Sequence, residues 1–192
     1  MRHLESYFQE HPVIAGVRNE NELSRALRSD VIMLFLLDGD IFSIDEISRQ
    51  AREHDKILLL HLDLIEGLAG DEKAVEYLAR RELCDGIVST KSRLIKAAGQ
   101  QDLMAVQRLF LLDSAAIESG KKLIKNYNPD AVEILPGIAA PHFLENVSQS
   151  CPVIGGGLIR SRKEIDELIE QGVFAISTSK ENLWYRPQEE KE

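Results

Sequence analysis

Two groups of residues near the end of the chain have the chemistry of an anion site. Gly155-Gly156-Gly157 offers three consecutive positions without a Cβ, so backbone amides can approach a phosphate closely and converge on it. Ser177-Thr178 adds two hydroxyls where a short helix could open. A glycine triplet alone equally suits a tight turn ahead of a helix at Ser161; its pairing with the hydroxyls is what points to phosphate. Four carboxylates, Asp38, Asp63, Asp113 and Glu133, lie in or just after apolar runs. They could accept hydrogen bonds from ligand hydroxyls, or two of them could form an acid/base pair. Asp113 also suits a helix cap before Ser114-Ala115-Ala116. His61-Leu62-Asp63, read as strand, puts both polar side chains on one side. A histidine at the end of a buried strand is more often a hydrogen-bonded core residue than a base. Arg18 or Lys91 could offset the acidic groups. No lysine falls mid-strand, where a Schiff-base lysine would be expected, and Lys91, just past a strand end, is a faint candidate. With neither HExxH nor a cysteine cluster, no metal is expected and no catalytic residue is assigned.

These residues need a scaffold that gathers them. Short apolar, β-branched runs alternate with stretches of helical periodicity. The runs are Val13–Val17, Val31–Leu37, Ile57–Leu62, Gly86–Val88, Arg108–Leu112, Ala131–Leu135, Pro152–Gly155 and Val173–Ser177. Their near-continuous apolarity is that of parallel strands buried on both faces. Eight such units predict a compact (β/α)8 barrel of the TIM type over residues 1–185, followed by a charged, disordered tail over 186–192. So short a chain requires brief helices, and one after strand 1 or strand 3 could be reduced. Ser43-Ile44-Asp45-Glu46 and Ser161-Arg162-Lys163-Glu164 fit the capping box, and Asn19 and Asp71 suit N-caps. Gly120 lies in a helical run, where glycine costs stability. In such a barrel all the residues singled out above fall at the C-terminal ends of strands, the face that carries function.

No apolar stretch reaches the ~18 residues of a membrane span, and Cys84 and Cys151 border apolar runs as buried thiols would. A cytoplasmic protein is expected. The net charge of −9 argues against a nucleic-acid partner, yet residues 80–130 carry 9 Lys+Arg against 6 Asp+Glu. A local basic patch can serve a polyanion on an acidic protein; solvated helix faces account for the same residues.

Together, His61-Leu62-Asp63-Leu64-Ile65-Glu66-Gly67-Leu68, Asp85-Gly86-Ile87-Val88-Ser89-Thr90-Lys91, Leu111-Leu112-Asp113-Ser114, Val132-Glu133-Ile134-Leu135-Pro136-Gly137, Pro152–Ile159 and Ala175–Ser179 resemble the bacterial glycerol uptake operon antiterminator regulatory protein family. The resemblance spans residues 10–185. It implies a non-enzymatic sensor that responds to glycerol 3-phosphate and binds leader mRNA of glycerol-utilisation genes, with no cofactor beyond that effector. On this reading Gly155, Gly156, Gly157, Ser177 and Thr178 hold the phosphate, and Asp38, Asp63 and Glu133 accept from the glycerol hydroxyls. Lys91, Arg93, Lys96, Lys121, Lys122 and Lys125 become the expected RNA surface, although no RNP or KH motif or aromatic stripe is present. An exposed apolar helix face could serve a homo-oligomer. The alternative is a barrel enzyme of isomerase or lyase type that uses the same cradle for a small phosphorylated substrate.

Overall fold

The computed structural model describes residues 5–147 and 151–186. Eight parallel strands run β1 Val13–Val17, β2 Met33–Leu36, β3 Ile57–His61, β4 Gly86–Ser89, β5 Met104–Phe110, β6 Ala131–Leu135, β7 Val153–Gly156 and β8 Ala175–Thr178. Each pairs with its sequence neighbour, and β8 returns to β1 with Ile14 opposite Ser177, closing the barrel. Among the described residues, seven helices cover it: α2 Glu20–Leu27, α3 Ile44–Glu53, α4 Glu72–Arg80, α5 Ser92–Gln100, α6 Ser114–Tyr127, α7 Ala140–Leu144 and α8 Arg162–Glu170.

Period-two alternation divides the core into two layers. Ile14, Phe35, Leu59, Val88, Val106, Ala131, Ile154 and Ala175 fill the barrel interior. The residues between them, such as Leu34, Leu60, Ile87, Val132 and Ile176, pack against the helices. A preceding helix, α1 (Glu5–Glu10), sends Phe8 into the interior cluster, where its ring lies 5.2 Å from that of Phe174. Phe174 directly precedes β8, so α1 closes the N-terminal end of the barrel. Both cysteines are buried thiols, and burial pushes that of Cys84 up to about 12.

The N-terminal face is tied down by backbone chemistry. Asp55, Glu82, Asp102, Asn128 and Gly172, each at or just past a helix end, adopt left-handed φ that reverses the chain. Asp85 and Asp130 clamp the neighbouring strand: Leu58 N–H donates to Asp85 Oδ2 and Ala105 N–H to Asp130 Oδ2, while the two aspartate amides donate back to the same residues' carbonyls.

Several local expectations change. The fifth strand begins at Met104 and ends at Phe110, because Gln107 and Arg108, which interrupt the apolar pattern, are strand residues buried within it. The second strand starts at Met33 rather than Val31. The reduced helix follows strand 6: α7 has 5 residues, while the helices after strands 1 and 3 have 8 and 9. After β8, the described residues form only the short 3-10 turn Glu181–Leu183. Asn19, Asp71 and Asp113 cap their helices, and Ser161 and Glu164 form a complete capping box. Ser43 does not. Its hydroxyl bonds the Asp40 backbone, and the Asp40 carboxylate instead accepts from the Phe42 and Ser43 amides. Gly120 is a packing requirement: a Cβ there would lie 2.6 Å from the Phe143 ring. Of the expected tail, Arg186 is anchored by Asp30 and Glu10, and 187–192 fall outside the described residues.

Candidate functional site

Two positions beyond each interior residue, alternation brings the next side chain to the upper layer of the barrel. From Leu59, Val106, Ala131, Ile154 and Ala175 this gives His61, Arg108, Glu133, Gly156 and Ser177. In most barrels such a layer completes an apolar core. Here four of these five residues are polar, and three of them form one network. Glu133, 1% exposed, accepts from Arg108 Nε at 2.6 Å through one carboxylate oxygen and from the Ser177 hydroxyl at 2.5 Å through the other. A buried carboxylate is tolerable only with such pairing, and each partner here comes from a different strand.

Gly156 belongs to this network by what it lacks. A Cβ at this position would sit 2.6 Å from Ser177 Oγ and 2.7 Å from Glu133 Oε1, so any larger residue would displace the carboxylate. Gly157 and Leu158 then both adopt left-handed backbone, with φ of +72° and +61°. This is natural for glycine and uncommon for leucine, and the leucine side chain is left exposed.

Above the network a cavity of about 440 Å³ opens at the C-terminal face, within the usual size of small-molecule sites. Its wall includes Arg18, Arg108, Arg160 and Lys180, the carboxylate of Glu133, Gly157, and the hydroxylic run Ser177-Thr178-Ser179. Arg18 donates to the Ser179 hydroxyl. Arg160 and Lys180 are exposed and form no ion pair among the described residues. The cavity therefore offers four cationic side chains against one carboxylate that is already paired, a balance suited to an anion.

Of the residues expected at the site, Gly157, Ser177, Thr178 and Glu133 line the cavity. Gly155 and Gly156 lie in the wall behind it. Asp38 is exposed and outside the lining. Asp63 is also outside it, because β3 stops at His61 and the chain turns into a 3-10 helix, Leu62–Leu64. Its Oδ2 accepts from the Thr90 N–H at 2.8 Å and from the Ser89 and Thr90 hydroxyls, and its other oxygen lies 3.2 Å from Lys91 Nζ. Burial alone would raise this carboxyl, but the donors from Thr90, Ser89 and Lys91 outweigh it and hold it below its usual value. Asp63 is thus a strut between the third and fourth strand ends, and Lys91 is its counter-ion rather than a free amine. Asp113 caps α6.

His61 is 3% exposed, and its Nδ1, 4.0 Å from Asp63, has no hydrogen-bond partner among the described residues. Burial, reinforced by the Arg108 charge, pushes its pKa down to about 4, so it is neutral at physiological pH.

Arg108, Arg160 and Lys180 were not singled out for the site by sequence reasoning. Arg108 had a signal: an arginine inside an otherwise apolar strand run must find a buried partner. Counted with the surface cations of residues 80–130, it loses that meaning. Arg160 and Lys180 carry no such mark, since loop cations are common.

The expected RNA residues separate. Lys91 and Arg93 stand at the fourth strand end, on the cavity's face. Lys96 lies on α5, and Lys121, Lys122 and Lys125 lie on α6, with Lys121 paired to Glu118.

The chain matches the model of a family described as glycerol-3-phosphate responsive antiterminator over residues 13–184. It is 33% identical over 178 residues to the uncharacterized protein YgcP of Escherichia coli K12, covering 92% of this chain and 93% of that protein. Two solved structures are similar. The glycerol uptake operon antiterminator regulatory protein of Listeria monocytogenes has a TM-score of 0.83 and 32% identity, over 90% of this chain and 94% of its own. A glycerol uptake operon antiterminator-related protein of Thermotoga maritima has a TM-score of 0.82 and 29% identity, over 91% and 98%.

Proposed function

Because the chain belongs to the glycerol-3-phosphate responsive antiterminator family, we propose that its cavity is the input site of a non-enzymatic regulator that binds glycerol 3-phosphate and, in response, leader mRNA of glycerol-utilisation genes. The observation that carries the ligand half is the charge of the cavity wall: four cationic side chains around hydroxyls and a left-handed glycine turn, with a single carboxylate fixed at the floor. The phosphate lies against Gly157, Ser177 and Thr178, within reach of Arg18 and Arg160. The glycerol hydroxyls point to Glu133. Gly155 and Gly156 shape the wall by leaving room for Glu133 and Ser177, rather than touching the phosphate.

Glu133 has one hydrogen-bonded donor on each oxygen, which leaves it acceptor capacity but fixes its orientation. A fixed acceptor reads the hydroxyl pattern of a ligand. Ligand that prefers one arrangement of the loops after β7 and β8 shifts the population toward it, and any RNA that prefers the same arrangement is bound more tightly.

The same carboxylate at the cavity floor is what favours the second reading, a barrel enzyme of isomerase or lyase type on a small phosphorylated substrate. The two are separated by one preparation. Glycerol 3-phosphate is titrated calorimetrically with and without leader RNA, and its integrity is followed by phosphorus NMR. A regulator shows reciprocal tightening and unchanged ligand. Absence of glycerol 3-phosphate binding rules out the sensor.

A further inference from the structure

The exposed apolar side chains are concentrated on one face. Of the eight large ones among the described residues, Phe42, Leu64, Phe110, Leu112, Ile138 and Leu158 lie at or beyond strand C-terminal ends, where the cavity opens. Four of these stand in one sector, on the adjoining ends of strands 5 to 7: Phe110 (55% exposed), Leu112 (85%), Ile138 (78%) and Leu158 (74%). Backbone hydrogen bonds join the three loops, from Leu111 N–H to Leu135 O at 2.8 Å and from Gly137 N–H to Gly157 O at 3.3 Å. An apolar patch kept in water on a rigid rim marks a contact surface.

Charge indicates what the contact is. Going round the barrel, Arg93, which also donates to Gly70 O, stands on the β4 side of the sector and Arg160 and Lys180 on the β7–β8 side, with the α6 cap Asp113 between them. The opposite arc carries Asp38, Asp40 and Glu66, while Asp63 and Lys91 offset each other where the two arcs meet. A partner bearing regular negative charge is drawn to the first arc and repelled from the second. Single-stranded RNA has that charge, and its unstacked bases lie against aromatic and aliphatic side chains.

We propose that a single-stranded stretch of RNA docks on this sector. Its bases lie on Phe110, Leu112 and Ile138, and its phosphates are met by Arg93 and Lys180, with Arg160 left to the effector. The inference rests on the RNA-binding reading above and gives it a place: the rim of the effector cavity, not the lysine-bearing outer face of α6. Arg160, Lys180 and Leu158 belong to the cavity wall as well as to the rim, so ligand and RNA share a loop and need no long path to communicate.

The test uses fluorescently labelled leader transcript of a glycerol-utilisation operon, titrated with full-length protein by anisotropy in the presence of glycerol 3-phosphate. Phe110→Ser/Ile138→Ser alters only exposed side chains. It is expected to weaken RNA binding tenfold or more while calorimetric glycerol 3-phosphate affinity stays within threefold. Arg93→Glu should weaken binding and reduce the salt slope by about 1. Lys122→Glu/Lys125→Glu should leave RNA affinity within threefold. The reverse pattern, with the rim variants neutral and the α6 variant impaired, overturns the placement and leaves the RNA-binding function standing. If the wild-type protein binds glycerol 3-phosphate but no RNA, and sedimentation shows self-association abolished by Phe110→Ser/Ile138→Ser, the sector is a contact between copies and the RNA reading falls with it.

Discussion

The ends of β2 and β3 and the ends of β5 to β8 are comparably rich in polar residues but use them in opposite ways. At the ends of β2 and β3 the protein satisfies its own groups: Asp40 binds the Phe42 and Ser43 amides, and Asp63 binds Ser89, Thr90 and Lys91. At the ends of β5 to β8, Arg108, Glu133 and Ser177 form a satisfied floor, and Arg160 and Lys180 remain without ion pairs among the described residues above it. Polar residues at strand ends therefore do not by themselves mark a ligand site. What marks it is polar capacity left over once neighbouring backbone and side chains have been served.

The largest effect expected from breaking this contrast is Glu133→Ala. It leaves Arg108, 10% exposed, as a buried charge without its partner, which should cost about 3–5 kcal/mol in urea unfolding. Glu133→Gln keeps an acceptor for Arg108 and should recover part of that loss.

The second prediction concerns pH. The folded-state pKa of His61 is about 4, below the ordinary 6.5. Between those values the unfolded chain takes up a proton that the folded one refuses, so stability is full above pH 6.5 and is lost as pH falls toward 4. The loss amounts to about 3 kcal/mol. Burial displaces His11 in the same direction and adds to the same slope. His61→Gln should flatten, not abolish, the pH dependence of the denaturation midpoint over this window. A slope unchanged from wild type would show that burial does not hold His61 neutral.

The third is Gly156→Val. Its side chain would collide with Glu133 and Ser177, and glycerol 3-phosphate affinity by calorimetry should fall about a hundredfold, or about 2.7 kcal/mol. The smallest is Asp63→Asn. Loss of the carboxylate's charge weakens the strut to Lys91 and the Thr90 amide and should cost about 1–2 kcal/mol of stability, with ligand affinity within threefold. If Asp63→Asn instead abolished binding while stability held, the distinction between the two arcs would fail.

Much of the fold was legible because barrel strands are buried on both faces, and that burial is written as continuous apolar runs. The errors fall where one residue served another purpose. The fifth strand was misplaced because Gln107 and Arg108 break its apolar run. The capping box at Ser43 failed because Asp40, three residues earlier, takes both the Ser43 amide, through its carboxylate, and the Ser43 hydroxyl, through its backbone. The reduced helix was misplaced because helix length depends on packing. Gly120 lets α6 sit close to Phe143, a contact invisible to periodicity.

The site was legible to a different degree. Residue type and spacing alone determined that Ser177, Thr178, Glu133 and the glycines would meet at one end of a barrel, since the strand period and the parallel topology leave no other place for them. Tertiary structure decided their roles. Whether a carboxylate caps a helix, braces a loop or faces a cavity depends on which donors from distant strands reach it first. For Asp63 those donors come from the next strand end, and they use its acceptor capacity. For Glu133 they come from β5 and β8 and fix it in place at the floor of the cavity. The cations above it, from the loops after β1, β7 and β8, are brought around one opening only by closure of the barrel.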